Sequence, residues 1–154
     1  MKKKILITSM GGYGSLSLVT YLNNSIKKNL DFFGTHKDQD LLNRARKICK
    51  KIFLVPAVDD KKKYLNTNLN LIKKYKIDFA IPNSDREVFL FSKYRDRFKS
   101  KVFLPNHKDI TLCQNKEKFL NFLKNKNLNH PYFICIKNKK DIDIFLKNKN
   151  TKKF

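Results

Sequence analysis

Two short stretches of this chain hold residues whose types and spacing suit ligand chemistry. The first, Thr8-Ser9-Met10-Gly11-Gly12-Tyr13-Gly14-Ser15, contains three of the four glycines in 154 residues. Backbone without Cβ atoms turns tightly and lets a ligand come close. Where such a turn opens a helix, its N–H groups can seat an anion. The second stretch is Pro82-Asn83-Ser84-Asp85-Arg86-Glu87. Ser84 or Asp85 can cap a helix there, with Glu87 completing a capping box. A cap that faces a crevice can also touch a ligand. The turn Ser9–Ser15 is the first candidate binding site.

Both stretches depend on the elements that carry them. The apolar run Ile5-Leu6-Ile7 reads as a buried strand over Lys3–Thr8, and Ser15–Lys28 as a helix with Leu16, Val19, Leu22 and Ile26 near helical spacing. Further strands are expected at Leu30–Gly34, closed by Gly34, and at Ile52–Val55, Phe79–Ile81 and Lys101–Leu104, each stopped by a proline. Helices are expected over Asp40–Lys50, over Lys61–Tyr75 behind an Asp59-Asp60 cap, and from Ser84-Asp85 through Tyr94. Five strands alternating with helices predict an α/β fold, a doubly wound parallel sheet with helices on both faces. Ligands bind such sheets at the carboxyl ends of the strands, where the two stretches would lie side by side. After about Asn106 the rhythm changes. Helices are expected over Asp109–Cys113 and Lys116–Lys126, a break at His130-Pro131, a strand at Tyr132–Ile136 and a last helix over Asp141–Lys147. The expected domains are therefore 1–106, the sheet, and 107–154, a C-terminal helical connector.

Several chemistries are disfavoured. His36, His107 and His130 are separated and lack metal-ligand spacing, so no catalytic residue and no metal site is expected. A short-chain dehydrogenase needs Tyr-x-x-x-Lys, but Phe98 follows Tyr94 and Ile136 follows Tyr132 at that distance. Gly12-Tyr13-Gly14 approaches the dinucleotide fingerprint, yet Ser17 stands at its third glycine position, and Thr35-His36-Lys37-Asp38 follows the second strand where an acid is expected. Cys49, Cys113 and Cys135 are odd in number and read as reduced thiols of a cytoplasmic protein. No apolar run approaches the roughly 20 residues of a membrane span, and the apolar stretch behind Lys2-Lys3-Lys4 is too short for a signal peptide. No membrane partner is expected.

The formal net charge is +22, carried by 30 Lys and only five Arg, beside 17 Asn. That joint bias is what an A+T-rich coding sequence produces. Specific nucleic-acid readers favour Arg, and these lysines are scattered in short clusters along the whole chain. A solvated basic surface is expected, and a nucleic-acid partner is not.

Four stretches in order carry a likeness to a known family. They are Ile5-Leu6-Ile7-Thr8-Ser9-Met10-Gly11-Gly12; Ile52-Phe53-Leu54-Val55-Pro56 with Asp59-Asp60; Ile77-Asp78-Phe79-Ala80-Ile81 through Glu87; and Leu104-Pro105 with Leu112-Cys113-Gln114-Asn115-Lys116, Phe119-Leu120 and Leu128-Asn129-His130-Pro131. The last is the most specific, an Asn-Lys step opening a helix that leads to an apolar-x-x-Pro break. Together, over roughly residues 3–136, they resemble the amino-terminal (preATP-grasp) domain of ATP-grasp ligases, in the branch similar to the carbamoyl-phosphate synthase large subunit.

The resemblance implies a Rossmann-like domain that binds the acceptor substrate and forms one wall of an active site. Gly11, Gly12, Gly14, Ser84 and Asp85 would be its substrate-binding residues. Lys116 occupies a position that in the family contacts nucleotide phosphates. The full enzyme would be a carboxylate–amine ligase that uses ATP and Mg to form an acyl phosphate. The family's ATP-grasp lobes follow about where this sequence ends. The polypeptide is thus expected to be catalytically incomplete, to hold neither ATP nor Mg tightly, and to work with an ATP-grasp domain in cis or in trans. Its other expected partners are a small-molecule acceptor and, as an open option, a second copy in a homodimer. The alternative is a free-standing Rossmann-type module for a nucleotide or sugar nucleotide.

Overall fold

The computed structural model describes residues 2–25 and 29–149. The chain divides into two compact units, Met1–Ile110 and Thr111–Phe154.

In the first unit, five apolar runs form the parallel strands β1 (Lys3–Ile7), β2 (Leu30–His36), β3 (Lys51–Leu54), β4 (Phe79–Ile81) and β5 (Lys101–Val102), in the order β3-β2-β1-β4-β5. β1 is central: it pairs with β2 from Lys3↔Leu30 to Ile7↔Gly34 and with β4 from Ile5↔Phe79 to Ile7↔Ile81. The chain winds outward from β1 to β3, then crosses back to β4. The order therefore reverses between β1 and β4, and a crevice opens there at the carboxyl ends.

Successive side chains on a strand face opposite ways, so a strand covered on both faces must be apolar throughout. Ile5, Ile7 and Phe32 pack with Met10, Val19, Leu42 and Cys49 under α1 (Tyr13–Ser25) and α2 (Gln39–Arg44). Leu6, Phe33 and Ala80 pack on the other face with Leu65, Ile72, Leu90 and Phe91 from α3 (Lys61–Tyr75) and α4 (Asp85–Lys93). Phe91 also stacks on Phe98 at 4.5 Å between centroids, a pairing worth about 0.5–1.5 kcal/mol beyond burial. α3 starts where the Asp60 carboxylate accepts the Lys63 N–H at 3.1 Å. It ends at Lys76, left-handed at φ 53°, with the Ile77 N–H reaching back to the Ile72 carbonyl at 3.0 Å.

Several expectations about this unit need correction: the helix expected over Asp40–Lys50 forms only over Gln39–Arg44, and the strand expected over Lys101–Leu104 only over Lys101–Val102. β2 does not close at Gly34 but runs through it to His36. Gly34 is needed inside the strand, because a Cβ there would lie 2.6 Å from Met10 Cγ. The first helix begins at Tyr13, before Ser15; of its expected last residues, Ile26, Lys27 and Lys28 lie outside the described residues.

All three cysteines are free thiols. Burial pushes the Cys49 thiol up to about 11, whereas Cys113 and Cys135 are exposed. Thiolate is the reactive form. Iodoacetamide at neutral pH is therefore expected to modify at most Cys113 and Cys135 in the native protein. Intact mass should show the third adduct only after denaturation; native modification of Cys49 would contradict its packing.

α5 (His107–Gln114) follows β5. In the second unit, α6 (Lys116–Asn125) is capped by Asn115, whose Oδ1 accepts the Lys118 N–H at 2.9 Å, and α7 (Lys139–Lys149) follows. The strand expected at Tyr132–Ile136 does not form. Its residue types suit a strand, but strand structure needs a hydrogen-bonded neighbour and none pairs with it among the described residues. Tyr132 stacks instead on Phe145 of α7, 5.7 Å between centroids. No helix among the described residues is long and apolar enough to cross a membrane.

Candidate functional site

The turn after β1 is tied to both neighbouring strands. The Thr8 N–H donates to the Ile81 carbonyl at 3.1 Å, and the Met10 N–H to the Thr35 carbonyl at 2.9 Å. Between them Ser9 adopts a left-handed conformation, φ 48°, an uncommon state for a residue with a Cβ. Gly11 follows at φ 108°, and a Cβ on it would lie 2.0 Å from the Leu41 carbonyl oxygen of α2. Glycine is required there by a neighbouring backbone. The Gly11 N–H donates to Ser15 Oγ at 3.1 Å, and that hydroxyl lies 2.9 Å from the Gly12 carbonyl it can donate to. Gly12 and Gly14 are under no such demand: a Cβ would meet nothing closer than 3.8 Å at Gly12 and nothing within 4 Å at Gly14.

The strongest polar feature lies beneath the crevice, at Glu87. This carboxylate is 5% exposed. Its Oε2 accepts from Thr8 Oγ1 at 2.7 Å, from Ser9 Oγ at 2.7 Å and from the Ser84 N–H at 3.2 Å; its Oε1 accepts from the Tyr64 hydroxyl at 2.7 Å. Thr8 Oγ1 in turn accepts the Asn83 N–H at 3.2 Å. A buried charge is tolerable when its lone pairs are satisfied in this way. The site thus joins the end of β1, the β4–α4 loop and the first turns of α3 and α4. Burial, and then the negative charge of Glu87, hold the Tyr64 phenol far above its ordinary range, so it remains a donor.

Above this carboxylate is a cleft of about 230 Å³. The turn after β1 contributes Ser9, the end of β2 and the residue after it contribute His36 and Lys37, the loop after β3 contributes Pro56, Val58 and Asp59, the loop after β4 contributes Ser84, and the first turn of α4 contributes Arg86 and Glu87. The cleft therefore lies across the carboxyl ends of four neighbouring strands. His36 Nδ1 accepts the Asp38 N–H at 2.8 Å, which leaves its proton on Nε2. Arg86 pairs with Asp59 in an exposed ion pair. Lys37 is exposed and makes no ion pair among the described residues. Hydroxyls, one imidazole, two cations and the carboxylates of Asp59 and Glu87 make a polar pocket suited to a small polar molecule, with Lys37 as the cation left to meet an anionic group. No group of three or more His, Cys, Asp or Glu that could hold a metal occurs among the described residues.

Of the residues picked from sequence, Ser84 lines this cleft; Gly11, Gly12, Gly14 and Asp85 do not. Lys116 belongs to the second unit, exposed at the start of α6 beside Glu117. Ser9 and Arg86 lie within the two stretches read from sequence as candidates, though neither is named there as a substrate-binding residue; His36, Lys37 and Tyr64 lie outside both. Their common sequence signal is position at the carboxyl end of a strand, or just after it, on the side of the switch point; Tyr64 had no signal, because its spacing reads only as the apolar face of α3.

A family model described as the PylC-like, N-terminal domain matches residues 5–103. No curated protein matches. Among solved structures, an L-amino acid ligase from Bacillus licheniformis is similar with a TM-score of 0.65 and 11% identity, over 97% of this chain and 42% of that one. The biotin carboxylase domain dimer of Hydrogenobacter thermophilus 2-oxoglutarate carboxylase, in complex with MgADP, ADP and bicarbonate, gives 0.64 and 13% over 96% and 33%. The biotin carboxylase subunit of a pyruvate carboxylase gives 0.61 and 14% over 96% and 33%. This chain thus spans between a third and about two fifths of these neighbours' length.

Proposed function

From a chain that belongs to the PylC-like N-terminal domain family and folds as the preATP-grasp domain of ATP-grasp enzymes, we propose the acceptor-binding, amino-terminal part of a cytoplasmic ATP-dependent carboxylate–amine ligase, of the kind similar to carbamoyl-phosphate synthase. The observation that carries this reading is the polar cleft at the switch point, with Ser9, Lys37 and Ser84 at its wall and the Glu87 network as its floor. Lys37 would balance an acceptor carboxylate or phosphate. The Ser84 hydroxyl and His36 Nε2 would fix its orientation. The Gly11–Gly14 turn would shape the adjoining wall, with Asp85 beside it.

ATP with magnesium, when bound, supplies the phosphoryl group that activates a carboxylate. The residues described here do not fit that pair: there is no acidic cluster for the metal, and Lys116, whose matching position suggests a phosphate contact, stands beside Glu117. The nucleotide is therefore assigned to an ATP-grasp portion acting in cis or in trans. The chain's coverage of only 33–42% of its structural neighbours supports that assignment. The Hydrogenobacter domain is a dimer, and a homodimer is the assembly to test for here.

The alternative, a free-standing nucleotide or sugar-nucleotide module, lacks its ribose-binding acid. Asp38 instead caps α2, accepting the Asp40 N–H at 2.8 Å and the Leu41 N–H at 3.1 Å. Two-dimensional NMR separates the readings. Small carboxylates, amines and amino acids are titrated into labelled protein, and dinucleotides and sugar nucleotides into a second sample. Saturable shifts of the Ser9, Lys37 and Ser84 amides with a member of the first panel are expected. Saturable shifts confined to Gly12–Ser15 with the second panel, and none with the first, would overturn the ligase reading.

A further inference from the structure

We propose that the amino edge of the sheet, opposite the cleft, is a surface for the phosphate backbone of a nucleic acid, bound without sequence preference. Among lysines that look scattered along the sequence is a group, Lys3, Lys4, Lys50, Lys51, Lys73, Lys74, Lys76, Lys99 and Lys101, that falls just before or at the start of successive strands. A parallel sheet puts all those starts on one edge. Lys3 and Lys4 open β1, Lys51 opens β3 and Lys101 opens β5. α3 delivers Lys73, Lys74 and Lys76 to the same edge, ahead of β4. Direct contacts tie them together: Lys4 Nζ donates to the Tyr75 carbonyl at 3.0 Å, while Lys51 Nζ and Lys74 Nζ lie 5.1 and 5.8 Å from the centre of the Tyr75 ring. The acids at the strand starts, Asp31 and Asp78, pair with Lys50 and Lys3. Lys51, Lys74, Lys99 and Lys101 are exposed and make no ion pair among the described residues. Beside them Lys73, Arg97 and Lys99 line a groove of about 350 Å³ over Leu69 and Ile72.

Helix starts draw acids and helix ends draw bases, by capping and by the helix dipole. Asp38, Asp60, Asp85 and Glu87 accordingly lie at the carboxyl edge with the cleft. The fold therefore sorts the charges into a mixed edge and a basic one.

The chemistry of the basic edge favours a polyphosphate over other anionic surfaces. Lysine is a point charge suited to phosphate rather than to base edges. Insertion into a lipid surface needs apolar side chains beside the cations, and a protein interface needs an apolar core. Among the described residues, the exposed large apolar ones of the first unit are Tyr13, Tyr21, Leu54 and Phe103. Leu54 and Phe103 lie at the carboxyl ends of their strands, and Tyr13 and Tyr21 on α1. Five strands span about 20 Å, room for several successive phosphates.

The test is fluorescence anisotropy with labelled oligo-dT and oligo-rU of about 20 nucleotides, between about 50 and 200 mM salt. Wild-type protein is expected to bind with micromolar or tighter affinity at about 100 mM salt. The triple reversal Lys74→Glu, Lys99→Glu, Lys101→Glu should weaken binding at least about tenfold and flatten the log–log salt slope by about 2. The control Lys61→Glu, Lys62→Glu, Lys63→Glu makes the same change in net charge at the opposite edge and should stay within about twofold of wild type. Equal losses in the two triples would assign binding to bulk charge and overturn the proposal. So would equal affinity for poly-glutamate or for anionic vesicles, or no binding at all. If the reversal unfolds the sheet, the variant Lys74→Gln, Lys99→Gln, Lys101→Gln is read against the same outcomes.

Discussion

Replacing Glu87 with alanine is expected to lower the stability of the first unit by about 3–5 kcal/mol, measured by urea denaturation. Four donors converge on this one side chain. Its removal leaves the Thr8 and Tyr64 hydroxyls, both at most 1% exposed, without their acceptor. Each such group costs about 1–3 kcal/mol, and water entering the space recovers part. Glu87→Gln should behave differently. Its amide oxygen can take the place of Oε2 against Thr8, Ser9 and the Ser84 N–H. Its NH₂ can then donate to the Tyr64 oxygen, whose own proton rotates away. A loss of only about 1 kcal/mol is expected. If the alanine variant were as stable as the glutamine one, the carboxylate would not be what holds these elements together.

Gly11→Ala should be about as damaging, near 3–5 kcal/mol, from two sources that each cost about 1–3 kcal/mol. The backbone at φ 108° disfavours any side chain, and the new Cβ would lie 2.0 Å from the Leu41 carbonyl oxygen, an atom of helix backbone that cannot swing aside. α2 would have to move. Gly14→Ala is the internal control. It lies in the first turn of α1 with nothing within 4 Å of its Cβ position, so the helix should gain up to about 1 kcal/mol. Thermal melts of the two variants should shift in opposite directions. A shared loss would mean that the turn needs glycine for a reason other than the contact with α2.

Much of the architecture could be read from the chain because parallel strands buried on both faces spell themselves out. Ile5-Leu6-Ile7 and Phe79-Ala80-Ile81 are continuous apolar runs, each followed by a turn and then a helix. Periodicity works poorly where a partner decides. Tyr132–Ile136 has strand-forming residues and no strand beside it, since pairing is a tertiary fact. Gly34 marks a close approach in the middle of a strand, and sequence cannot say which atom approaches. The site divides in the same way. Ser84 could be found as a cap at a strand end. Glu87 could be read as the closing half of a capping box, but not as the acceptor for Tyr64, Thr8 and Ser9 as well. Those contacts span 23, 79 and 78 positions of chain, and no local pattern records them.

The Glu87 network also sets how the loop before α4 breathes. The Asn83 and Ser84 amides belong to neither a strand ladder nor a helical turn, yet they are held by Thr8 and Glu87. Loop amides ordinarily exchange with solvent through small local openings. To release these two, the junction of three elements must come apart. These two amides are therefore expected to exchange more slowly than ordinary loop amides, since they are tied to the junction that holds the end of β1, α3 and α4 together.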